Sequence, residues 1–520
     1  MTVPVDDQLK GRLAVVKNNG TLTIEVEKGK GDTRPPGWNG TDKKTRWTFV
    51  AANEPESGES ESGGKSLLIQ FATDGELFHS PAGEAFATVQ VKDHRETYRI
   101  KSPEFRRWLN YQYYQVTGSA PSSKTLAEAV NAIEAIANYD GAEREVFCRL
   151  GKVGDKLYLD LGNDKWEVVE IDADGWRVIA SPAHVKFRRA KGQLPLQRPE
   201  PGNINELRPF VNVTDESWVL LVGSLVAALR FPGPYFITLI LAAHGAAKTT
   251  VMKFMRSVCD PNDAPVRTPP RDEHSLLLAG TNGLFVCLDN VSVLQEWLLD
   301  ALCRVSTGGG LGVREHYSQS DEHICTVMRP SMLSTIVDLT NREDFLSRCI
   351  VIRCPMIPKG ARKPESELLA EFEKVRPRVL GALLTAASTA IRNLPNVNPT
   401  ELPRMADAFR WVVAAEPGLG WEPGTFARHY LQCEQELDLA IMEHPVAIAL
   451  RRLLDKQKEF VGTSSELSDA LTKHADSQLL SDQQWPRTLK ALGGVLQRLS
   501  ETLAKNNVSI THRNRTWRIK

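Results

Sequence analysis

At 520 residues the chain is too long for one domain, and three or four are expected. A hydrophobic content of 42% and a charged content of 25% place it among soluble globular proteins. Lys and Arg together number 64, as do Asp and Glu, which excludes a basic whole chain, so any nucleic-acid surface must come from local charge asymmetry.

The eight cysteines are scattered without a CxxC pair, so zinc-ligand spacing is absent. Several lie in apolar strand-like runs, where a reduced thiol behaves as a small hydrophobe; this fits a reducing cytoplasm. The N-terminus lacks the basic and apolar regions of a signal peptide. The longest apolar run, Trp218 to Leu229, is too short to span a bilayer, so no membrane partner is expected.

In chain order, residues 1–65 read as an arm with strand-like alternation at Leu22–Val26 and an acidic Ser/Gly linker from Glu54 to Gly64. Residues 66–192 read as an α+β accessory domain. Ser66–Phe71 and Ala85–Val89 are expected strands, and Pro103–Thr117 and Ser123–Ala137 are expected helices. Strands are expected at 146–150, 156–161, 167–171 and 176–179. Gln193 to Gly202, rich in proline, looks like a domain boundary. An α/β core follows over 203–360, then a helical lid over 361–444 and a small domain over 445–520.

The core carries the order a phosphate-binding loop needs: buried strand, glycine-bearing turn, Lys, hydroxyl residue, helix. Phe236–Leu241 is the strand, and Thr250 to Val258 continues as the helix. The turn is Ala242, Ala243, His244, Gly245, Ala246, Ala247, Lys248 and Thr249, followed by Thr250. Both flanking glycines of the usual pattern are alanines here. Alanine replaces glycine freely only where φ stays negative. Read alone, Lys248 is equally a surface lysine at a helix start. A second motif changes that balance. Leu284–Asp289 is an apolar strand with an acid at its end, 41 residues beyond Lys248. Asp289, with Thr249, is placed to hold Mg²⁺ beside ATP.

Asn290 follows, where a Glu would serve as base. Asn can orient a water but cannot accept its proton. Arg329–Ile336 reads as the next strand, closed by Ser334 or Thr335 where a polar γ-phosphate sensor would lie. Arg348, before the strand Cys349–Ile352, has two readings: a finger reaching a neighbouring subunit's nucleotide, or a local i,i+4 pair with Asp344. Arg404, opening a helix over Met405–Ala415, is a further sensor candidate. Between the two strands, Thr307–Ile324 reads as a hairpin whose Arg314 and His316 can meet a DNA backbone in a ring's pore.

In the last domain, helices are expected at Pro445–Leu454, Thr463/Ser464 to Lys473 and Trp485/Pro486 to Ala504, the second capped by a hydroxyl with Glu466 close behind. A hairpin over Val508–Lys520 follows, which is winged-helix order. From Pro486 to Lys520 there are eight Lys or Arg against one acid, Glu501. That excess points at phosphate through Arg487 and Lys490 on the third helix and Arg513, Arg515 and Arg518 on the wing. A protein-binding winged helix is the alternative.

These residues together resemble a family of AAA+ ATPases of bacteria and mobile elements. That family is similar to the helicase half of phage and poxvirus primase-helicases and to superfamily 3 helicases. The resemblance covers about Asp74 to Lys520. It is carried by Gly245–Thr250, Leu288–Ser292, Asp300–Arg304 with Thr307–Gly310, and Leu402–Asp407. Ala247 and Asn290 are family-like, whereas Ala242, Ala243 and Ser334 depart from its Gly, Glu and Asn. The resemblance implies a multidomain α/β fold: a P-loop AAA+ core with a parallel sheet, an N-terminal α+β module, a helical lid and a C-terminal winged helix. It implies a hexameric, ATP- and Mg²⁺-dependent DNA helicase, translocase or replication initiator. A nucleotide-dependent DNA scaffold or defence ATPase with weak hydrolysis is the competing expectation.

Overall fold

In the computed structural model the described residues are 15–18, 21–24 and 57–520, apart from 243–244, 292–293, 315–321, 336–341, 483 and 514. The chain divides into two compact units, Met1–Val89 with Tyr98–Glu143, and Gln90–Thr97 with Arg144–Lys520.

In the first unit, Ser57–Thr73 is a helix, although the sequence suggested a flexible linker followed by a strand. The reason is tertiary. Gly64, Leu68 and Ala72 are buried at four-residue spacing, and this face packs on the helix Ser123–Tyr139. A short apolar run fits either period, and the neighbouring helix selects 3.6. Pro103–Thr117 is helical as expected, capped by the Ser102 hydroxyl, which accepts from Phe105 N.

Apart from Gln90–Thr97, the second unit runs from Arg144, well before the proline-rich stretch, and that stretch is a strap within it. Leu194 N donates to Pro261 O at 3.0 Å, Leu196 N to Leu161 O at 2.7 Å, and Glu200 N to Pro377 O at 3.0 Å. The antiparallel sheet formed by Leu150–Val153, Lys156–Asp160, Glu167–Asp172 and Gly175–Ala180 belongs to this unit. Buried Arg149 joins it to the core: its Nε donates to Asp260 at 3.4 Å and its Nη2 to Leu194 O at 2.6 Å. Asp260 also accepts from Arg256 and from the backbone of Leu284 and Phe285. A buried charge is tolerated only when its hydrogen-bonding capacity is met in this way.

The centre of the unit is a four-stranded parallel sheet in the order Val286–Val291, Ser331–Thr335, Ile237–Leu241, Cys349–Arg353. Its strands are almost wholly buried, as parallel strands covered on both faces must be. The helices Asp215–Ala228 and Lys248–Cys259 bury most of their residues against it. Three further helices follow at Glu365–Asn393, Ala406–Ala415 and Thr425–Met442. The seven cysteines whose side chains are described are buried free thiols. Among the described residues, no helix is long and apolar enough to cross a membrane.

The C-terminal residues form helices Pro445–Gln457, Ser464–His474 and Leu489–Lys505 with a short one at Ser477–Ser481. Strand Phe460–Thr463, which the sequence did not announce, pairs with Thr516–Ile519; that strand pairs in turn with Ile510–Arg513. Thr463 and Glu466 form the expected reciprocal cap. The last helix starts at Leu489 rather than Trp485 or Pro486, because Thr488 is its N-cap and accepts from Ala491 N at 3.1 Å.

Candidate nucleotide site and basic surface

Ligands of open parallel sheets bind beyond the carboxyl ends of the strands, and at that edge several expected residues meet. Thr249 Oγ1 donates to Asp289 Oδ2 at 2.7 Å. Ser334 Oγ donates to Asp289 Oδ1. Ser334 Oγ also accepts from Asn290 N at 2.9 Å. The strand order explains the meeting: Ser331–Thr335 lies between the strand feeding the loop and the strand bearing Asp289. Lys248, half-buried, donates from Nζ to Ala242 O at 3.0 Å. Burial pushes the nearby Cys354 thiol up to about 12, against the charge of Lys248.

The loop backbone adopts the left-handed region twice, at Gly245 (φ +77) and at Ala247 (φ +61). Glycine takes this conformation freely, but for alanine it costs about 1–2 kcal/mol. The replacement of the second glycine is therefore a strained one. Ala246 is buried and Thr250 half-buried. The helix Lys248–Cys259 has no side-chain cap at its start, so its first amides remain free to meet an anion. Asn212, which no motif flags, fastens the loop from outside: its Nδ2 donates to Ala246 O at 3.1 Å and to Pro355 O at 2.6 Å. Ala243 and His244 lie outside the described residues.

The strand bearing Asp289 does not end there; it continues to Val291 with a register shift between Leu288 and Val291. Asn290 sits in that irregularity at φ +55. Asn tolerates left-handed backbone better than most residues, so local conformation accounts for the residue type.

Arg348 lies at the opposite end of the sheet. Cys349 pairs with Ile237 and Arg353 with Leu241, so five strand residues, roughly 16 Å, separate Arg348 from the loop edge. Its Nη1 donates to the carbonyl of Asp344, and its buried Nε has no partner. The alternative side-chain pair with Asp344 does not form. The Asp344 carboxylate instead binds Arg342, which also reaches Asp300 at 2.5 Å. Burial is the largest single influence and raises the Asp344 carboxyl, but the hydrogen bond and charge of Arg342, the charge of Arg348 and the Phe345 amide together outweigh it and hold the carboxyl below the usual range. Arg342 was not anticipated, since no spacing distinguishes it.

Arg404 is exposed ahead of the helix Ala406–Ala415, and among the described residues no hydrogen bond or ion pair ties it to the Asp289 cluster. Arg314 ends the strand Gly310–Arg314 opposite Glu322, while His316 lies outside the described residues.

Of the C-terminal basic residues, Lys490 is exposed in the first turn of the Leu489–Lys505 helix. Arg487 is not on that helix, contrary to the sequence reading. It precedes the Thr488 cap and donates to Leu480 O at 3.1 Å. Arg513 and Arg515 are exposed at the hairpin turn, with Arg515 at φ +64. Arg518 is exposed but pairs with Glu459 at 3.1 Å, which offsets part of its charge. Buried Trp517 anchors the hairpin by donating to Ser464 Oγ at 2.9 Å.

Among solved structures, the chain is loosely similar to "SCCmec type IV Cch - active helicase", with 10% identity, a TM-score of 0.43, and coverage of 82% of this chain and 88% of that one. It is likewise similar to the apo C-terminal region of NrS-1, at 11% identity and a TM-score of 0.39, over 87% of this chain and 98% of that one. No curated protein matches it. Two family models do match. One, described as the actinomycete integrative conjugative element replication protein, covers residues 204–418. The other, the C-terminal domain of the same RepA proteins, covers residues 446–520. Together the two matches span more than half of the 520 residues, and the chain belongs to the replication proteins of actinomycete integrative conjugative elements.

Proposed function

We propose that the chain is an ATP-dependent DNA helicase or translocase that works as a ring, the replication motor of a mobile element. The observation that carries this reading is the Asp289 carboxylate, held by the hydroxyls of Thr249 and Ser334 beside Lys248 at the carboxyl edge of a parallel sheet. Lys248 and the free amides of its helix would receive the β- and γ-phosphates. The donor set also suits Mg²⁺, which takes one or two protein oxygens and keeps its remaining places for water and phosphate. Thr249 and Asp289 supply those oxygens, and the ion, when bound, neutralises charge on the phosphates. Ser334 orients the Asp289 carboxylate and the Asn290 backbone, and Asn290 is left to position the attacking water. Arg348 serves a neighbouring copy's site, since it stands too far from its own loop.

We read the C-terminal helices and three-stranded sheet as a winged helix, and the exposed basic side chains of Lys490, Arg513 and Arg515 support a DNA contact there. Removing Arg513 and Arg515 together should lower the slope of log affinity against log salt by about two and weaken binding evenly across sequences. ATP binding should not change. Fluorescence anisotropy on labelled duplexes at several salt concentrations measures this, and an unchanged slope would move the contact elsewhere.

A second reading, a nucleotide-dependent DNA scaffold with weak turnover, is favoured by Asn290 in place of a base and by the strained Ala247. Forked DNA with MgATP separates the two readings. A motor displaces the strand and hydrolyses ATP faster with DNA; a scaffold retains DNA in an ATP-dependent way with neither effect.

A further inference from the structure

We infer that Arg362 contacts the terminal phosphates of the nucleotide bound by the same chain, approaching from the segment that leads into the helical lid. This rests on the nucleotide reading of the Lys248 loop. A Cβ built on Gly245 would stand 3.1 Å from an Arg362 guanidinium nitrogen. Arg362 therefore lies directly against the turn of the loop, at the residue whose left-handed backbone bends it.

Its neighbours are committed elsewhere. Lys363 pairs with Glu371 at 3.8 Å, and Glu365 with Lys253 at 2.6 Å. Arg362 itself is exposed and has no hydrogen-bond or ion-pair partner among the described residues. The local charge is unbalanced in the same sense. Lys248 donates to a neutral carbonyl, and the Asp289 carboxylate is taken by two hydroxyls. Two cations thus meet at the loop with no carboxylate among the described residues bonded to either, a setting that favours a multiply charged anion.

The approach is also held in place. Lys253 lies on the helix that follows the loop, so its pair with Glu365 fixes the start of the helix Glu365–Asn393 beside that helix. Asn212 ties Ala246 to Pro355 at the other end of the segment. Arg362 sits between these two fastenings. A guanidinium suits phosphate oxygens there because its planar fork donates two parallel hydrogen bonds.

The test uses the full chain with Mg²⁺ and titrates fluorescent analogues of ATP and AMP against wild type, Arg362→Ala, Arg362→Lys and Lys248→Ala. The expected result for Arg362→Ala is a loss of about tenfold to a hundredfold in ATP affinity, with AMP affinity changed less than about threefold. Arg362→Lys should recover part of the loss. Thermal unfolding without nucleotide should not move, because the side chain has no partner to lose among the described residues. Unchanged or tighter ATP binding by Arg362→Ala, with binding lost in Lys248→Ala, overturns the role of Arg362 and leaves the nucleotide site standing. Equal losses for ATP and AMP, unrelieved by lysine, also overturn it. Failure of the wild type to bind ATP overturns the nucleotide reading itself, and Arg362 with it.

Discussion

Replacing Lys248 with alanine is expected to abolish ATP binding while leaving the fold intact. Its ammonium makes one bond to a neutral carbonyl, from Ala242, so its loss should cost the folded protein only about 1 kcal/mol. Against two phosphates the same group makes charge-assisted bonds in a partly desolvated site, and a loss of more than about a hundredfold in affinity, roughly 3 kcal/mol, is expected. Titration with a fluorescent ATP analogue measures the loss, and a thermal melt of the same sample checks the fold. A variant that binds ATP as tightly as wild type would remove Lys248, and with it Thr249 and Asp289, from the assignment.

The second large effect is expected at Arg348. Arg348→Ala should bind ATP normally and lose about a thousandfold or more in turnover, the scale associated with an arginine supplied in trans. Mixing Arg348→Ala with Lys248→Ala chains should restore part of the activity. In such a mixed ring some interfaces join an intact loop to an intact arginine. Turnover is read by phosphate release and assembly by light scattering. If rings form and no activity returns, Arg348 acts only within its own chain, as a donor to the Asp344 carbonyl.

The placement of the loop edge was legible because its parts are each marked by local sequence. An apolar run followed by Gly245 and Lys248, and another ending near Asp289, specify buried strands with polar residues at their tips. Parallel pairing then brings the tips to one edge. The hairpin and the Thr463–Glu466 cap were legible for the same reason, since turns and caps depend on a few adjacent residues. The helix Ser57–Thr73 was not, because its apolar residues fit two periods until the Ser123–Tyr139 helix covers one face.

By itself, the sequence determined the order of strand, loop and helix around Lys248, the acid at Asp289, and the excess of basic residues after Pro486. Each depends on contiguous residues whose backbone and charge preferences do not need a partner. Tertiary structure alone decided which arginines are spoken for and which face the loop. Arg487 turned to the Leu480 carbonyl, Arg518 to Glu459 and Arg342 to Asp300 and Asp344, while Arg362, far from any motif, came to rest against Gly245. A guanidinium on a flexible stem takes whatever acceptor the fold brings within reach. Its partner is therefore a property of distant chain segments meeting, and no local spacing encodes it.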